Sequence, residues 1–314
     1  MSGGRGFLPG AQVCTRNLIG ADSSVFVLEL LLTGRCGGLE ALCGPCPVLS
    51  RNARAMRLPV AEEAVRTHVR RAAAEGFSRL HVQLVGGDPL CAFETLSALT
   101  ESLGSWADDF PVNLGFTTCG GPAGPVDPLV RDWLLQNGDR LLCSFRWNGA
   151  EGTRRWRADR ELWDRIVGTV LWSVRPDTLD EMGTELKGLL AAGVRVVLEY
   201  PAPESWRLAD AERYVEALRQ LTPQEARVLW GNVPDGCRCA AAGAVLVDIG
   251  GKTYPCRLLS PERMTYSQLQ QRFCPAGSSG EGELCPAEQS LSRIRLFSLL
   301  DKLHRSRLGQ FSGV

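Results

Sequence analysis

Apolar and polar residues follow two alternating periods along most of the chain. Short apolar runs rich in Val, Leu and Phe, the pattern of buried strands, occupy segments 25–33, 79–86, 112–121, 140–149, 194–203 and 226–233. Between them, apolar residues recur at helical spacing in segments 60–76, 91–106, 128–139, 161–172, 179–192 and 208–221. Strand and helix thus alternate about six times, which predicts a parallel sheet with helical crossovers, either doubly wound or closed toward a barrel.

The pattern also predicts how the chain divides. Residues 1–20 are Gly-rich and read as an N-terminal extension, and residues 21–235 carry the strand and helix alternation. Near Pro234-Asp235-Gly236 this alternation stops, and residues 236–314 contain clustered cysteines among Gly, Pro and Ser. A final apolar stripe at three-residue steps, from Leu291 to Leu303, predicts a C-terminal helix that docks onto the rest of the protein.

Composition narrows the functional classes. The chain has 44% hydrophobic and 22% charged residues, and its 35 basic and 35 acidic side chains cancel. A net charge of zero gives no basic field for nucleic acid or for an anionic membrane surface. The chain shows no signal peptide and no apolar run of the roughly 20 residues that span a bilayer. We therefore expect a cytoplasmic protein, in which twelve cysteines indicate metal or redox chemistry rather than disulfides.

Three of these cysteines, Cys36, Cys43 and Cys46, follow the first predicted strand. Cys43-Gly44-Pro45-Cys46 alone is typical of a thioredoxin-like dithiol, but a third cysteine and a second proline, Pro47, do not fit that motif. Structural zinc normally takes four ligands in two close pairs. Three thiolates on a [4Fe–4S] cluster would leave one iron open to an exogenous ligand, so the number favours a reactive cluster.

These features resemble the radical S-adenosylmethionine (radical SAM) superfamily. The resemblance rests on LLLTGRC with its three cysteines, followed one strand and helix later by Gly86-Gly87-Asp88-Pro89. It implies that Cys36, Cys43 and Cys46 bind a [4Fe–4S] cluster whose open iron chelates SAM, and that the glycine motif contacts the SAM amine. Two departures stand out: Asp88 replaces the usual Glu, and the spacing is C-x6-C-x2-C rather than C-x3-C-x2-C.

Later strands carry polar residues at alternate positions. Ser144 and Arg146 share one side of their predicted strand, and Glu199 shares a side with Arg195. The resemblance implies that Ser144 contacts SAM, while an internal hydrogen-bond network is the other interpretation for Ser144, Arg146 and Glu199. The expected cofactor-binding residues are Gly86, Gly87, Asp88, Pro89, Ser144, Arg146 and Glu199.

The remaining thiols and the histidines carry weaker signals. Cys91, Cys119 and Cys143 have no metal spacing, and packing explains them as small buried side chains. Cys119, in a Thr-Cys-Gly triplet where relatives carry Thr-Asn-Gly, is also the candidate catalytic thiol that would donate hydrogen to a substrate radical. The three histidines are scattered, which indicates structural roles.

The cysteine-rich C-terminal segment resembles the hairpin of SPASM and twitch domains. Cys239, Gly251 and Cys256 match the C-x(9–15)-G-x4-C pattern that opens those domains. The resemblance implies one auxiliary [4Fe–4S] cluster ligated by Cys239, Cys256, Cys274 and Cys285, with Cys237 as the alternative to Cys239. Zinc held by the same four thiolates stays open.

Together the resemblances imply an enzyme with a partial (β/α)6 TIM-type barrel and a small SPASM or twitch domain. It would reductively cleave SAM to a 5′-deoxyadenosyl radical and abstract a substrate hydrogen. The first expectation for its substrate is a ribosomally made peptide. A small-molecule dehydrogenase or decarboxylase of aminocyclitol or sugar-nucleoside biosynthesis is the second expectation, and a non-enzymatic thiol-rich redox or zinc protein is the third. An electron donor such as flavodoxin or ferredoxin is the expected partner, with no nucleic acid and no membrane.

Overall fold

The computed structural model describes residues 24–36, 54–106, 110–121, 125–147, 149–173, 176–199, 208–219 and 244–254. Its strands are β1 Val25–Thr33, β2 Arg79–Gly86, β3 Val112–Thr118, β4 Leu141–Trp147, β5 Val167–Ser173, β6 Arg195–Glu199, β7 Ala244–Val247 and β8 Thr253–Tyr254. Its helices are α1 Leu58–Ala74, α2 Phe93–Trp106, α3 Pro128–Asn137, α4 Gly149–Ala158, α5 Arg160–Ile166, α6 Leu179–Ala191 and α7 Leu208–Arg219. Short 3₁₀ turns lie at Pro89–Ala92, Gly138–Arg140 and Pro176–Thr178.

The strands form one sheet in the order β6-β5-β4-β3-β2-β1-β7-β8. Every neighbouring pair from β6 to β7 is parallel, and β8 runs antiparallel to β7. The described part of the chain therefore has an α/β fold with seven parallel strands, as the alternation predicts. Each of the first five parallel connections contains at least one helix, the usual crossover between parallel strands.

One face of the sheet packs against the helices. Phe26, Leu28, Leu30 and Leu32 of β1 are fully buried in a core that also contains apolar side chains of the helices. Every residue of β1 is buried, whichever face its side chain lies on, and both edges of the strand are paired, one with β2 and the other with β7. The run 25–32, which is apolar except for Glu29, is the sequence signature of such a central strand.

The predicted helix over 161–172 is wrong in its second half. Helix α5 ends at Ile166, and Val167–Ser173 form β5, which pairs with β4 and β6. The sequence VGTVLWS is rich in β-branched and aromatic residues, and Val170, Leu171 and Trp172 are fully buried in the sheet. Pairing on both sides thus outweighs the helical spacing that continues from α5.

Other predicted elements have clear outcomes. Helix α1 stops just before Gly76, whose φ of +80° ends the helix as expected. The predicted C-terminal hairpin is present as β7 and β8, and β7 extends the main sheet beside β1.

Three predictions lie outside the described residues: the strand over 226–233, the boundary near 235 and the C-terminal helix. Among the residues that are described, no helix is long and apolar enough to cross a membrane.

Helix α3 offers a matched test of this core. Leu134 is fully buried, whereas Leu129 in the same helix is 78% exposed. We expect Leu134→Ala to lower the free energy of unfolding by about 2–5 kcal/mol, because it removes apolar contacts and leaves a cavity. Leu129→Ala should change it by less than about 0.5 kcal/mol. Urea unfolding measures both, and equal losses would contradict this packing.

Candidate active site at the carboxyl ends of the strands

The cysteine loop is fixed at both of its ends. Residues 37–53, which include Cys43 and Cys46, lie outside the described residues, whereas the segments on either side of them are described. Thr33 and Ala55 form an antiparallel bridge, the Met56 amide donates to the Leu32 carbonyl at 2.7 Å, and the Gly34 amide donates to the Arg54 carbonyl at 3.3 Å. The loop therefore leaves from and returns to the carboxyl end of β1. Half-buried Cys36 is the last described residue before it.

The glycine motif packs directly against the start of this loop. The Gly87 amide donates to the Thr33 carbonyl at 2.7 Å, and the Asp88 amide donates to the Arg35 carbonyl at 2.8 Å. A Cβ at Gly87 would lie 1.9 Å from the Arg35 oxygen, and one at Gly86 would lie 2.3 Å from the Thr33 oxygen. Gly86 also has a φ of +125°, which residues with a side chain rarely adopt. Both glycines are therefore required for the close approach of the two backbones, and the expected proximity of the start of the cysteine loop to this motif is confirmed.

The carboxylate of Asp88 is buried and accepts hydrogen bonds from two separate turns. It accepts the Leu90 amide at 3.0 Å within its own turn. From the turn after β3 it accepts the Cys119 amide at 2.8 Å, the Gly121 amide at 2.9 Å and the Thr118 hydroxyl at 2.9 Å. The side chain of Asp88 therefore ties the end of β2 to the end of β3. It does so from a position only 1% exposed to solvent.

Two opposing effects act on this carboxyl group. Burial raises the pKa of Asp88, and the amides of Cys119, Leu90 and Gly121, together with the Thr118 hydroxyl, lower it in part. Each of these donors is satisfied by the ionised form of the carboxylate. The hydrogen bonds therefore offset part of the cost of burying the charge.

The turn after β3 is also bound by a side chain of α4. Arg155, 4% exposed, donates from Nη1 to the Gly121 carbonyl at 2.6 Å and to the Cys119 carbonyl at 3.5 Å. Its Nε donates to Glu151 at 2.7 Å. Hydrogen bonds from Arg154 and Arg155 outweigh a smaller effect of burial and lower the pKa of Glu151 to about 2, so this ion pair is charged at neutral pH.

The face of the sheet opposite the helices carries a set of polar side chains, which we call the polar face: Glu29, His81, Gln83, Thr117, Ser144 and Thr169. The parallel register brings Thr117, Ser144 and Thr169 side by side on β3, β4 and β5. Thr169 Oγ1 is buried and has no hydrogen-bond partner among the described residues. Arg195 of β6 stands next to Thr169 in the same register. Ser144 therefore lies on the face of β4 opposite the apolar core positions, as the alternation of polar and apolar residues in this strand predicts.

Sequence reasoning did not single out His81 and Gln83 as members of this face. His81 Nε2 lies 3.1 Å from Gln83 Oε1, and Gln83 Nε2 donates to Thr117 Oγ1 at 3.4 Å. A Cβ on Gly115 would lie 2.7 Å from Gln83 Oε1, so this glycine makes room for the pair. The signal was present in RLHVQLV, where His and Gln alternate with apolar residues, as Ser144 and Arg146 do in β4.

The expected site residues divide into three groups. Gly86, Gly87, Asp88, Pro89, Cys36 and Cys119 lie together at the carboxyl ends of β1, β2 and β3. Ser144 and Arg146 lie on β4, and Glu199 ends β6 with its backbone paired to Ser173. Cys43, Cys46, Cys237, Cys239, Cys256, Cys274 and Cys285 lie outside the described residues.

The described thiols show no metal site among themselves. The part of the chain that the structure describes contains no group of three or more Cys, His, Asp or Glu residues arranged around a common point. Cys143 is buried in the core, and burial raises the pKa of its thiol. Cys91 is half-buried, and burial raises the pKa of its thiol to about 11. Packing therefore accounts for Cys143.

Known proteins match this chain in structure rather than in sequence. No family model matches it, and no curated protein matches it in sequence. The solved structure of native anSMEcpe with bound AdoMet covers 89% of this chain and 100% of its own, with a TM-score of 0.53 and 15% identity. The fold is that of anSMEcpe.

Two further anSMEcpe structures agree with this result. A form with a hexahistidine tag and bound AdoMet covers 88% of this chain and 97% of its own, with a TM-score of 0.54 and 16% identity. A native form with bound AdoMet and a Cp18Cys peptide covers 88% of this chain and 99% of its own, with a TM-score of 0.54 and 15% identity. Because the identities are this low, the likeness to anSMEcpe establishes the fold alone.

Gly87 tests the contact between the cysteine loop and the glycine motif. We expect Gly87→Ala to displace the backbone around Arg35, because its Cβ has no flexible side chain to push aside. The result should be a loss of about 1–3 kcal/mol in the free energy of unfolding. Gly188→Ala in α6 is the control, since a Cβ there meets no atom within 4 Å and Ala favours helix. Thermal unfolding compares them, and an unchanged Gly87→Ala protein would contradict the contact.

His81 tests the burial of the polar face. Burial lowers its pKa from 6.5 to about 4, so between these values the unfolded chain binds a proton that the folded protein excludes. Neutral His81 therefore leaves the free energy of unfolding undiminished above pH 6.5. As the pH drops from 6.5 toward 4, this free energy falls by at most about 1.4 kcal/mol per pH unit. His81→Asn should lack this slope. Urea unfolding of both proteins across this range measures it, and parallel pH profiles would show that His81 is not buried in this way.

Proposed function

We propose that the protein is a radical SAM enzyme that cleaves SAM reductively at the carboxyl ends of β1, β2 and β3. The single observation that carries the proposal is the hydrogen-bonded contact between the start of the cysteine loop and Gly87-Asp88. This contact brings together the cysteine motif and the Gly86–Pro89 motif, on which the resemblance to radical SAM enzymes rests. The fold is shared with anSMEcpe, an anaerobic sulfatase-maturating radical SAM enzyme whose structures contain AdoMet.

The residues at this site fit a [4Fe–4S] cluster with bound SAM. Both ends of the cysteine loop are fixed beside the glycine motif, so a cluster held by Cys36, Cys43 and Cys46 would lie next to Gly86–Pro89. On the neighbouring strands, the hydroxyl of Thr169 is buried without a described partner, beside Ser144. A polar ligand is the usual partner of such a group.

Each part of the site would then have a separate role. Cys36, Cys43 and Cys46 would hold the [4Fe–4S] cluster, which would supply the electron for reductive cleavage of SAM and thereby the radical chemistry that removes a hydrogen atom from the substrate. Gly86–Pro89 would bind the methionyl amine through the backbone, and Ser144, Arg146 and Glu199 would bind the rest of SAM. The Asp88 side chain already accepts four donors from the protein, so its contribution is to hold the backbone in place.

An auxiliary [4Fe–4S] cluster would be held by Cys239, Cys256, Cys274 and Cys285, with Cys237 as the alternative to Cys239. The hairpin of β7 and β8 supports this part of the proposal, since it has the turn that the SPASM and twitch pattern requires. In that turn, Gly251 has a φ of +88°, and Asp248 Oδ1 accepts the Gly250 and Lys252 amides at 2.9 Å. Cys256 follows β8 by two residues in sequence.

For the substrate we propose a peptide, and for the electron donor a flavodoxin or ferredoxin. The anSMEcpe structure with a Cp18Cys peptide supports a peptide, because its fold is shared. Cys119 is the candidate hydrogen donor to the substrate radical. Its position supports this role, since its amide is bound to Asp88 in the turn beside the glycine motif.

Anaerobic reconstitution tests the function. With dithionite and SAM, we expect the protein to form 5′-deoxyadenosine and to contain about eight irons per chain. Cys36→Ala, Cys43→Ala and Cys46→Ala should each lower 5′-deoxyadenosine formation by more than about a hundredfold, because each removes a cluster ligand. Cys91→Ala, at a half-buried thiol outside the loop, is the matched control.

The same assay separates the competing functions. Bound zinc and no 5′-deoxyadenosine would overturn the proposal in favour of a thiol-rich zinc protein. Full activity of Cys36→Ala would remove Cys36 from the ligand set. Transfer of deuterium from a labelled cysteine peptide to 5′-deoxyadenosine would support the peptide substrate. Transfer only from a labelled aminocyclitol or sugar nucleoside would instead support a small-molecule dehydrogenase or decarboxylase.

A further inference from the structure

The turn Thr118–Gly121 is bracketed by two buried side chains of opposite charge. Asp88 accepts the amides of Cys119 and Gly121, at 2.8 and 2.9 Å. Arg155 donates to the carbonyls of the same two residues, at 3.5 and 2.6 Å. The carboxylate therefore binds the N–H groups, and the guanidinium binds the C=O groups, of the same two residues.

The turn needs this external support because of its own backbone. Gly120 and Gly121 have φ values of +97° and +78°, and glycine loses more conformational entropy on ordering than any other residue. The Gly120 amide donates to the Thr118 hydroxyl at 2.9 Å, a hydroxyl that in turn donates to Asp88. A Cβ at Gly120 would lie 3.4 Å from Arg155 Cβ, so the arginine stem also packs on the turn.

Arg155 is itself fixed in direction. Its Nε donates to Glu151 one helical turn earlier in α4, which leaves Nη1 directed at the two carbonyls. Neighbouring Arg154 also pairs with Glu151, yet its side chain is 58% exposed. The two arginines thus share one acidic partner, and only Arg155 reaches the turn among the contacts described for α4.

We propose that Arg155 is a positioning residue of the SAM site, acting through the Thr118–Gly121 turn against Asp88. This inference rests on the proposed function, because the turn borders the glycine motif that would bind SAM. Loss of Arg155 leaves the two carbonyls of the turn without their buried donor while Asp88 still holds the amides. The turn then loosens on one side, and the backbone of Asp88 loses its fixed place beside the cysteine loop.

The experiment compares Arg155→Ala with Arg154→Ala, a matched control that keeps the same helix and acidic partner. In the full chain, buried Cys119 reports on the turn directly: we expect Arg155→Ala to increase its alkylation by iodoacetamide about tenfold, mapped by mass spectrometry, while Arg154→Ala does not. In the reconstituted enzyme, Arg155→Ala should raise the KM for SAM about tenfold and change kcat by less than about twofold.

Arg155→Lys serves as the second variant in case Arg155→Ala does not fold. A lysine keeps the charge but cannot hold two carbonyls and Glu151 in one planar arrangement, so its alkylation rate and KM should lie between wild type and Arg155→Ala. Folded Arg155→Ala and Arg155→Lys proteins with the alkylation rate and KM of Arg154→Ala would overturn the inference. If Arg155→Ala speeds alkylation of Cys119 but the wild-type protein never cleaves SAM, Arg155 does support the turn and the proposed function is refuted.

Discussion

The buried carboxylate of Asp88 is the interaction on which the rest of the site depends. A buried charge is costly unless donors surround it, and here the donors come from the turns after two different strands. The ends of β2 and β3 are therefore held in one relative position by a single side chain. Glutamate, with one more methylene, would place its oxygens farther from the backbone, so Asp88 suits the short distance between these turns.

From this carboxylate a continuous set of contacts spreads across the carboxyl ends of the strands. The amide of Asp88 binds the start of the cysteine loop, and its side chain binds the turn that Arg155 also binds. The glycines occur where two backbones approach too closely for a Cβ.

The sequence allowed much of the fold and part of the site to be predicted. Alternating apolar periods predicted five of the first six parallel strands, and missed β5 because Leu162, Ile166 and Val170 continue a helical spacing across the end of α5. The neighbourhood of Cys36 and Gly87 followed from parallel topology alone. The bonds of Asp88 to Cys119 and of Arg155 to Gly121 could not be predicted, because they join residues more than thirty positions apart and depend on side-chain reach.

The parallel pairing of β7 with β1 has a consequence for how the protein forms. Strand β1 begins at Val25, yet one of its two neighbours is supplied by residues 244–247. During synthesis the apolar edge of β1 that β7 later covers stays unpaired until most of the chain has left the ribosome, and such edges are prone to association with other chains. Pairing of this edge of β1 is thus a late event in the synthesis of the chain, because it needs a contact of very long sequence separation.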